Sequence, residues 1–304
     1  MAKIKKKNKI LIIGGTGFLG YHLAKKCLKK NWSVTSFSLN KPKKKRFLKK
    51  VKYIKGNISN LKNLKKIDKF FHYVVNFGGY VNHTNRQEVY NSHVLGCKNL
   101  VRIFLNKKIR LFLQVSSGTE YGKIKSPHNE NFKCSPNSIY GKAKNLATQF
   151  LLNQNLKKNF PCTIVRFYQV FGKKQDSNRI IPFVIQSCLD GKKFPCSDGK
   201  QYKDFIDVDQ IVTAIIKILK SRKTNGEIIN IGSGQVFQIK KIIKFINKKI
   251  KKGVPDFGKI KIRKEEKNKY YPSIKKAKLL INWIPKKNFK KKLISQINFQ
   301  KNHI

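Results

Sequence analysis

The chain has 304 residues, 40% of them hydrophobic, which suffices for one large domain or a large and a small one around a substantial core. No run of about 18 apolar residues occurs, so no transmembrane helix is expected. The 69 basic and 14 acidic residues give +55, but the lysines are spread over nearly every predicted helix and loop without a nucleic-acid-binding motif, so composition accounts for them and no specific nucleic-acid partner is expected.

The basic start, residues 1–7, runs directly into an apolar strand and lacks the apolar region and cleavage site of a signal peptide, so the cytoplasm is the expected location, with no membrane partner. The next residues, Ile10 to Ile13, read as a buried strand, followed by glycines at 14, 15, 17 and 20 and a helical pattern over 21–28. A strand, a glycine turn and a helix build a dinucleotide-phosphate site, because the turn needs φ > 0 and the pyrophosphate approaches bare backbone at a helix N-terminus. Residues 33–39 form a second strand. About 20 residues after such glycines an acid usually binds the adenosine ribose. Here Ser38, Leu39, Asn40 and Lys41 stand there, with Lys43 and Lys44 close by. The cofactor is therefore NAD or NADP, and the missing acid leans toward NADP.

A third strand, 51–55, ends in Gly56-Asn57-Ile58; a fourth, 70–77, ends in Gly78-Gly79. A helix over 87–106 leads to a fifth strand, 110–115, and then to Ser116-Ser117-Gly118-Thr119-Glu120-Tyr121-Gly122. Pro136 to Lys144 opens another helix, and 162–170 reads as a sixth strand ending in Phe171-Gly172. This alternation predicts an α/β fold, a Rossmann-type doubly wound parallel sheet whose ligands bind at the carboxyl ends of the strands. In the last third, helical patterns near 178–190, 208–220, 238–250 and 273–281 alternate with short strands such as 227–231. We expect an NAD(P)-binding domain over 8–172 and a smaller C-terminal α/β substrate lobe over 173–304, interleaved as a single compact unit. The six cysteines form no C-x-x-C pair, and several lie in apolar runs, so reduced thiols are expected, with no disulfide framework and no metal site.

Tyr140 and Lys144 are four apart and share a helix face. A tyrosine at its ordinary pKa of about 10 is a poor base at neutral pH. An ammonium one turn away stabilises the phenolate, and the Ser117 hydroxyl can hold the same substrate oxygen. The three make a proton shuttle for an alcohol/ketone pair, with a nicotinamide as hydride carrier.

These motifs resemble the extended short-chain dehydrogenase/reductases of the NAD-dependent epimerase/dehydratase family, which act on nucleotide sugars, over roughly residues 8 to 300. The matching segments are Gly14-Gly15-Thr16-Gly17-Phe18-Leu19-Gly20, Ser116-Ser117 ahead of Tyr121-Gly122, Tyr140 with Lys144, Arg166 to Gly172, Gly199 to Asp209, and Asn230-Ile231-Gly232. The resemblance implies Ser117, Tyr140 and Lys144 as catalytic residues. It implies a cofactor site of Gly14, Gly15, Thr16, Gly17, Phe18, Leu19 and Gly20, with Ser38, Asn40, Asn57, Ile58, Phe77, Gly78, Gly79, Tyr140 and Lys144. It places Asn178 and Lys203 at the substrate diphosphate, where lysine replaces the usual arginine fork. Phe205 is expected to pack, Asp207 and Asp209 to cap the helix near Val208, and His93, at a usual asparagine position, to pack or hydrogen-bond. A homodimer pairing the Tyr140 helix is implied as well.

Gly118 and Thr119 replace the Asp-Glu pair of sugar-nucleotide 4,6-dehydratases, and Glu120 is expected on the opposite side of an extended segment. This argues against a dehydratase. A 4-ketoreductase acting on a 4-keto-6-deoxy sugar nucleotide is the first expectation. The missing ribose acid favours it, and the segment from Asn76 to His83 resembles reductases of deoxyhexose biosynthesis. A nucleotide-sugar 4-epimerase with bound NAD is the alternative. A non-catalytic Rossmann regulator or RNA-binding protein comes third, since it would need none of Ser117, Tyr140 and Lys144.

Overall fold

Strands that are apolar on both sides, such as Ile10 to Ile13, must be covered on both faces, which is the setting of a parallel sheet. The computed structural model describes residues 7–67, 70–80, 84–262 and 268–303. The readings made on residues 1–6 and on Val81, Asn82 and His83 lie outside the described residues. Seven parallel strands form the sheet: β1 (Lys9–Ile13), β2 (Ser33–Ser38), β3 (Val51–Lys55), β4 (Tyr73–Asn76), β5 (Leu111–Ser117), β6 (Cys162–Phe167) and an edge strand, Ile228–Ile231. From that edge the order is Ile228–Ile231, β6, β5, β4, β1, β2, β3. The chain leaves β1 outward through β2 and β3, then crosses back to β4. The direction of winding therefore reverses between β1 and β4, and such a reversal opens a crevice above the carboxyl ends.

Alternate residues feed two cores. Ile10 and Ile12 face one with helix α1 (Phe18–Lys29), helix Val208–Lys220 and helix Lys275–Ile281. Leu11 and Ile13 face the other with helices Gly96–Phe104 and Ile139–Lys158. A third core gathers C-terminal elements: helix Ile180–Leu189, helix Ile239–Ile250, Phe194, Phe205, Leu293 and Ile297. The edge strand and helix Val208–Lys220 come from the C-terminal third yet build the main sheet and its first core.

Several boundaries differ from the sequence reading, and for the strands pairing sets the limit. The fourth strand starts at Tyr73, not 70, because its partner β1 offers register only from Ile10. The fifth extends to Ser117 because β6 pairs with it up to Phe167. The sixth breaks at Tyr168, and Gln169–Phe171 leaves the sheet to pair in parallel with Phe205–Asp207. The helix expected over 87–106 spans 86–104 and carries a π-helical segment, Asn91–Leu95, in its middle. The final helix, Phe289–Lys301, was not expected; Leu293 and Ile297 bury its one apolar stripe among lysines. No helix among the described residues is long and apolar enough to cross a membrane.

Candidate active site

The turn after β1 is as tight as its glycines imply. Gly14 has φ +73° and donates its amide to Phe37 O at 2.9 Å, while Gly17 donates to Gly14 O at 3.0 Å. A Cβ on Gly20 would sit 2.4 Å from Gly14 O and 2.5 Å from Gly15 Cα, so α1 lies directly on the turn. Gly17 caps α1 without any side-chain hydrogen bond, and no acid occupies the first turn. The first amides of α1 are thus left to an anion, at the positive end of the helix, as a dinucleotide diphosphate requires. These residues fit NAD or NADP. Gly20→Ala is expected to displace the turn, lowering stability by about 1–3 kcal/mol and abolishing dinucleotide binding; thermal melting and a binding titration check it.

The other cofactor positions gather at the same rim. Gly14 abuts the 77–78 backbone, where an added Cβ would lie 3.2 Å from Phe77 C and 3.3 Å from Gly78 N. Gly78 N donates to Asn76 Oδ1 at 2.9 Å, and Gly79 lies against the His93 ring. Ser38, at the end of β2, accepts from Thr16 N at 3.3 Å, and Asn40 is exposed beyond it. Asn57 uses its side chain within its own turn, where Oδ1 accepts from Ser59 N and Oγ, and Ile58 is buried against Gly78 and Gly96. Phe18 and Leu19 open α1 and pack against the first core.

Beside this rim β5 ends at Ser117. Its hydroxyl accepts from Thr119 N at 3.2 Å and lies close enough to Tyr140 and Tyr270 to act on the acidity of both. Ser138 caps the next helix by accepting from Gly141 N at 3.0 Å, which fixes Tyr140 in its first turn. Lys144 is buried one turn on, with Nζ 5.6 Å from the Tyr140 ring centre and donating to Val115 O at 2.8 Å. His93 packs edge-on against Tyr140 at 5.2 Å and reaches Tyr80 O at 3.3 Å, the packing role expected for it.

The electrostatics depart from the expectation that Lys144 pulls Tyr140 down. Burial pushes Tyr140 up to about 12, and the Glu120 charge adds to this; Arg179 and the Ser117 hydrogen bond act against it. Lys144 is itself brought down to about 8 by burial, with Glu120 and Cys97 opposing the change. Tyr140 therefore keeps its proton at neutral pH, as a proton donor does.

Glu120 does turn away from the cleft, but within a 3-10 turn, Gly118–Tyr121, and not within an extended segment. It is fully buried and ion-paired with Arg166 at 2.8 Å. Above Gly118 the space is taken: a Cβ there would meet Tyr270 Oη at 2.6 Å and Tyr168 Cζ at 2.8 Å. Tyr168 and Tyr270 pack with centres 4.9 Å apart and planes tilted by 46°, and Lys203 Nζ lies 5.6 Å over the Tyr270 ring. Lys203 is therefore brought to the cleft. Asn178 is exposed beside Arg179, whose charge acts on Tyr140. Asp207 caps helix Val208–Lys220 by accepting from Asp209 N at 3.1 Å; Asp209 does not cap but pairs with Lys292. Phe205 packs in the third core against Phe289. A cavity of about 550 Å³ lined by Tyr21, Lys25, Lys173 and Lys292 contains none of Ser117, Tyr140 and Lys144.

The NAD dependent epimerase/dehydratase family matches residues 10–232. The chain belongs to that family. It is 27% identical to a putative UDP-glucose 4-epimerase of Methanocaldococcus jannaschii over 97% of this chain and 99% of the relative. It is 24% identical to a CDP-abequose synthase of Salmonella muenchen, over 85% and 86% of the two chains. Among solved structures, a UDP-glucose 4-epimerase from Thermotoga maritima superposes with a TM-score of 0.89 at 20% identity, covering 97% of this chain and 99% of the other. The fold is thus that of the epimerase/dehydratase enzymes, and the chain is an NAD-dependent enzyme of the extended short-chain type.

Three residues at this cleft were given no role in the sequence reading: Tyr168, Arg179 and Tyr270. Arg179 adjoins Asn178, a signal that was available. Tyr270 is 130 residues from Tyr140, and only the parallel pairing of Lys269–Tyr270 with Tyr202–Lys203 brings it in.

Proposed function

We propose that the protein oxidises or reduces the C4 position of a nucleotide sugar, with Ser117, Tyr140 and Lys144 as its catalytic residues. The observation that carries this is the gathering of the three beside the glycine turn that fits a dinucleotide: Lys144 Nζ lies 5.6 Å from the Tyr140 ring centre and donates at 2.8 Å to Val115 O, on the strand that ends at Ser117. Ser117 holds the sugar oxygen, Tyr140 exchanges a proton with it, and the Lys144 ammonium beneath the ring steadies the phenolate. The nicotinamide, when bound, takes or returns the hydride at C4. Lys203 and Asn178 hold the diphosphate, Lys203 as a point charge. The filled space above Gly118 leaves no room for the carboxylate a 4,6-dehydratase needs there.

The first reading is a nucleotide-sugar 4-epimerase with bound NAD, supported by end-to-end similarity to a putative UDP-glucose 4-epimerase. The second is a 4-ketoreductase using NADPH. It is favoured by Ser38 and Asn40 where a ribose-binding acid would repel the 2′-phosphate, and by similarity to a CDP-abequose synthase. The test is to identify the copurified dinucleotide and then supply substrates. Conversion of UDP-glucose to its C4 epimer without net redox change supports the epimerase. Consumption of NADPH with a 4-keto-6-deoxy sugar nucleotide supports the reductase. Turnover of neither substrate class would sink both readings.

The catalytic residues lie between an NAD(P)-binding lobe, 8–172, and a substrate lobe, 173–304. All six cysteines are free, which supports a reducing, cytoplasmic setting. A homodimer is proposed through the outer side of the Tyr140 helix, where Ile139 and Leu146, seven residues apart, are exposed. Leu146→Glu is expected to convert the dimer to monomer, read by light scattering, while leaving the monomer folded, since Leu146 packs little within the chain.

A further inference from the structure

Glu120 takes no part in the proton shuttle, yet the elements that carry the shuttle meet on it. A buried carboxylate is costly unless paired and fully hydrogen-bonded, and this one has both oxygens engaged. Oε2 accepts from Arg166 Nη2 at 2.8 Å. Oε1 accepts from Thr148 Oγ1 at 3.1 Å and, more closely, from Ser116 Oγ. Each donor stands one step from the chemistry. Ser116 immediately precedes Ser117. Thr148 lies one turn beyond Lys144 on the Tyr140 helix, on the same face. Arg166 is the register partner of Ser116 on β6.

We propose that Glu120 is the positioning residue of this site, tying the strand end that carries Ser117 to the helix that carries Tyr140 and Lys144. The inference rests on the shuttle assigned above to those three residues. Its second consequence is electrostatic. Lys144 faces Cys97 from helix Gly96–Phe104, Tyr140 from its own helix and Glu120 from the turn after β5. Glu120 in turn faces Arg166 from β6 and acts on Cys134 from the following loop and on Tyr270 from the C-terminal segment. Its charge favours the ammonium form of Lys144 against burial. A misplacement of about an ångström among reacting groups costs roughly a hundredfold in rate.

The test compares Glu120→Gln, Glu120→Asp and Thr148→Val with the full-length enzyme. One readout is kcat against KM. The other is the pH dependence of reductive methylation at Lys144, followed by mass spectrometry without cofactor or substrate. Glu120→Gln is expected to lower kcat about a hundredfold with little change in KM, and to move the Lys144 midpoint to lower pH. Thr148→Val, which keeps the ion pair, is expected to lower kcat about tenfold with the midpoint in place, and Glu120→Asp to recover part of the loss. A wild-type midpoint in Glu120→Gln, or a wild-type kcat in Thr148→Val, overturns the proposal. Should Glu120→Gln fail to fold, Thr148→Val decides. Failure of the shuttle reading would show separately, as activity surviving in Tyr140→Phe, and leaves the methylation readout intact.

Discussion

Tyr140→Phe is expected to lower kcat by about a thousandfold or more while leaving dinucleotide affinity within a few-fold of wild type. The substitution removes one oxygen and keeps the ring that His93 packs against. The diphosphate end of the cofactor cradle is built from the β1 turn and α1, and the substitution leaves both in place. In the proposed mechanism Ser117 would still hold a substrate oxygen without that hydroxyl, but the group that exchanges its proton would be gone. Tyr270 Oη also reaches this spot, over Gly118, so a residual rate carried by Tyr270 is the one escape, and Tyr140→Phe/Tyr270→Phe measures it. Steady-state kinetics with a dinucleotide titration checks the split. Full activity in Tyr140→Phe would remove the tyrosine from the mechanism.

Much of this site was legible because its pieces are local in sequence. The glycine turn announces itself within seven residues, since each glycine answers a separate steric demand: φ > 0 at Gly14 and direct contact between α1 and the turn at Gly20. Tyr140 and Lys144 are fixed by helical spacing, and Ser117 by its place at the end of a buried strand. What the sequence could not carry is whatever depends on pairing across distance. The break at Tyr168 follows from Gln169–Phe171 finding Phe205–Asp207. Glu120 was set aside as pointing away; that it points to Arg166, Thr148 and Ser116 depends on three elements meeting. Protonation was the hardest part to read. Four-residue spacing places an ammonium under Tyr140, but burial acts on both groups at once and leaves Lys144 lowered and Tyr140 raised.

That balance sets the expectation for Lys144→Met: an enzyme that is more stable than wild type at neutral pH and inactive. Lys144 is 4% exposed, and burial brings it from 10.5 to about 8. Its folded pKa is therefore below its unfolded one, so below about pH 8 the fold carries the full cost of a desolvated ammonium. As pH rises from about 8 to 10.5 the folded protein has released that proton and the unfolded chain has not, so stability rises through this window. The cost at neutral pH is on the order of 3 kcal/mol. Methionine fills the same stem volume without the charge. Losing the Nζ donor leaves little behind, because Val115 O still accepts from Gln114 Nε2 at 3.0 Å. Lys144→Met is thus expected to melt a few degrees higher at pH 7. Its melting temperature should lack the wild type's rise between neutral pH and about pH 10, and kcat should fall by at least about a hundredfold. Calorimetry across that range with kinetics at neutral pH checks all three. A variant less stable than wild type at pH 7 would mean that the Val115 hydrogen bond outweighs the buried charge. A variant of normal activity would leave the lysine a structural residue. A buried cation retained against its own cost is what a site looks like when stability has been given up to steady a phenolate.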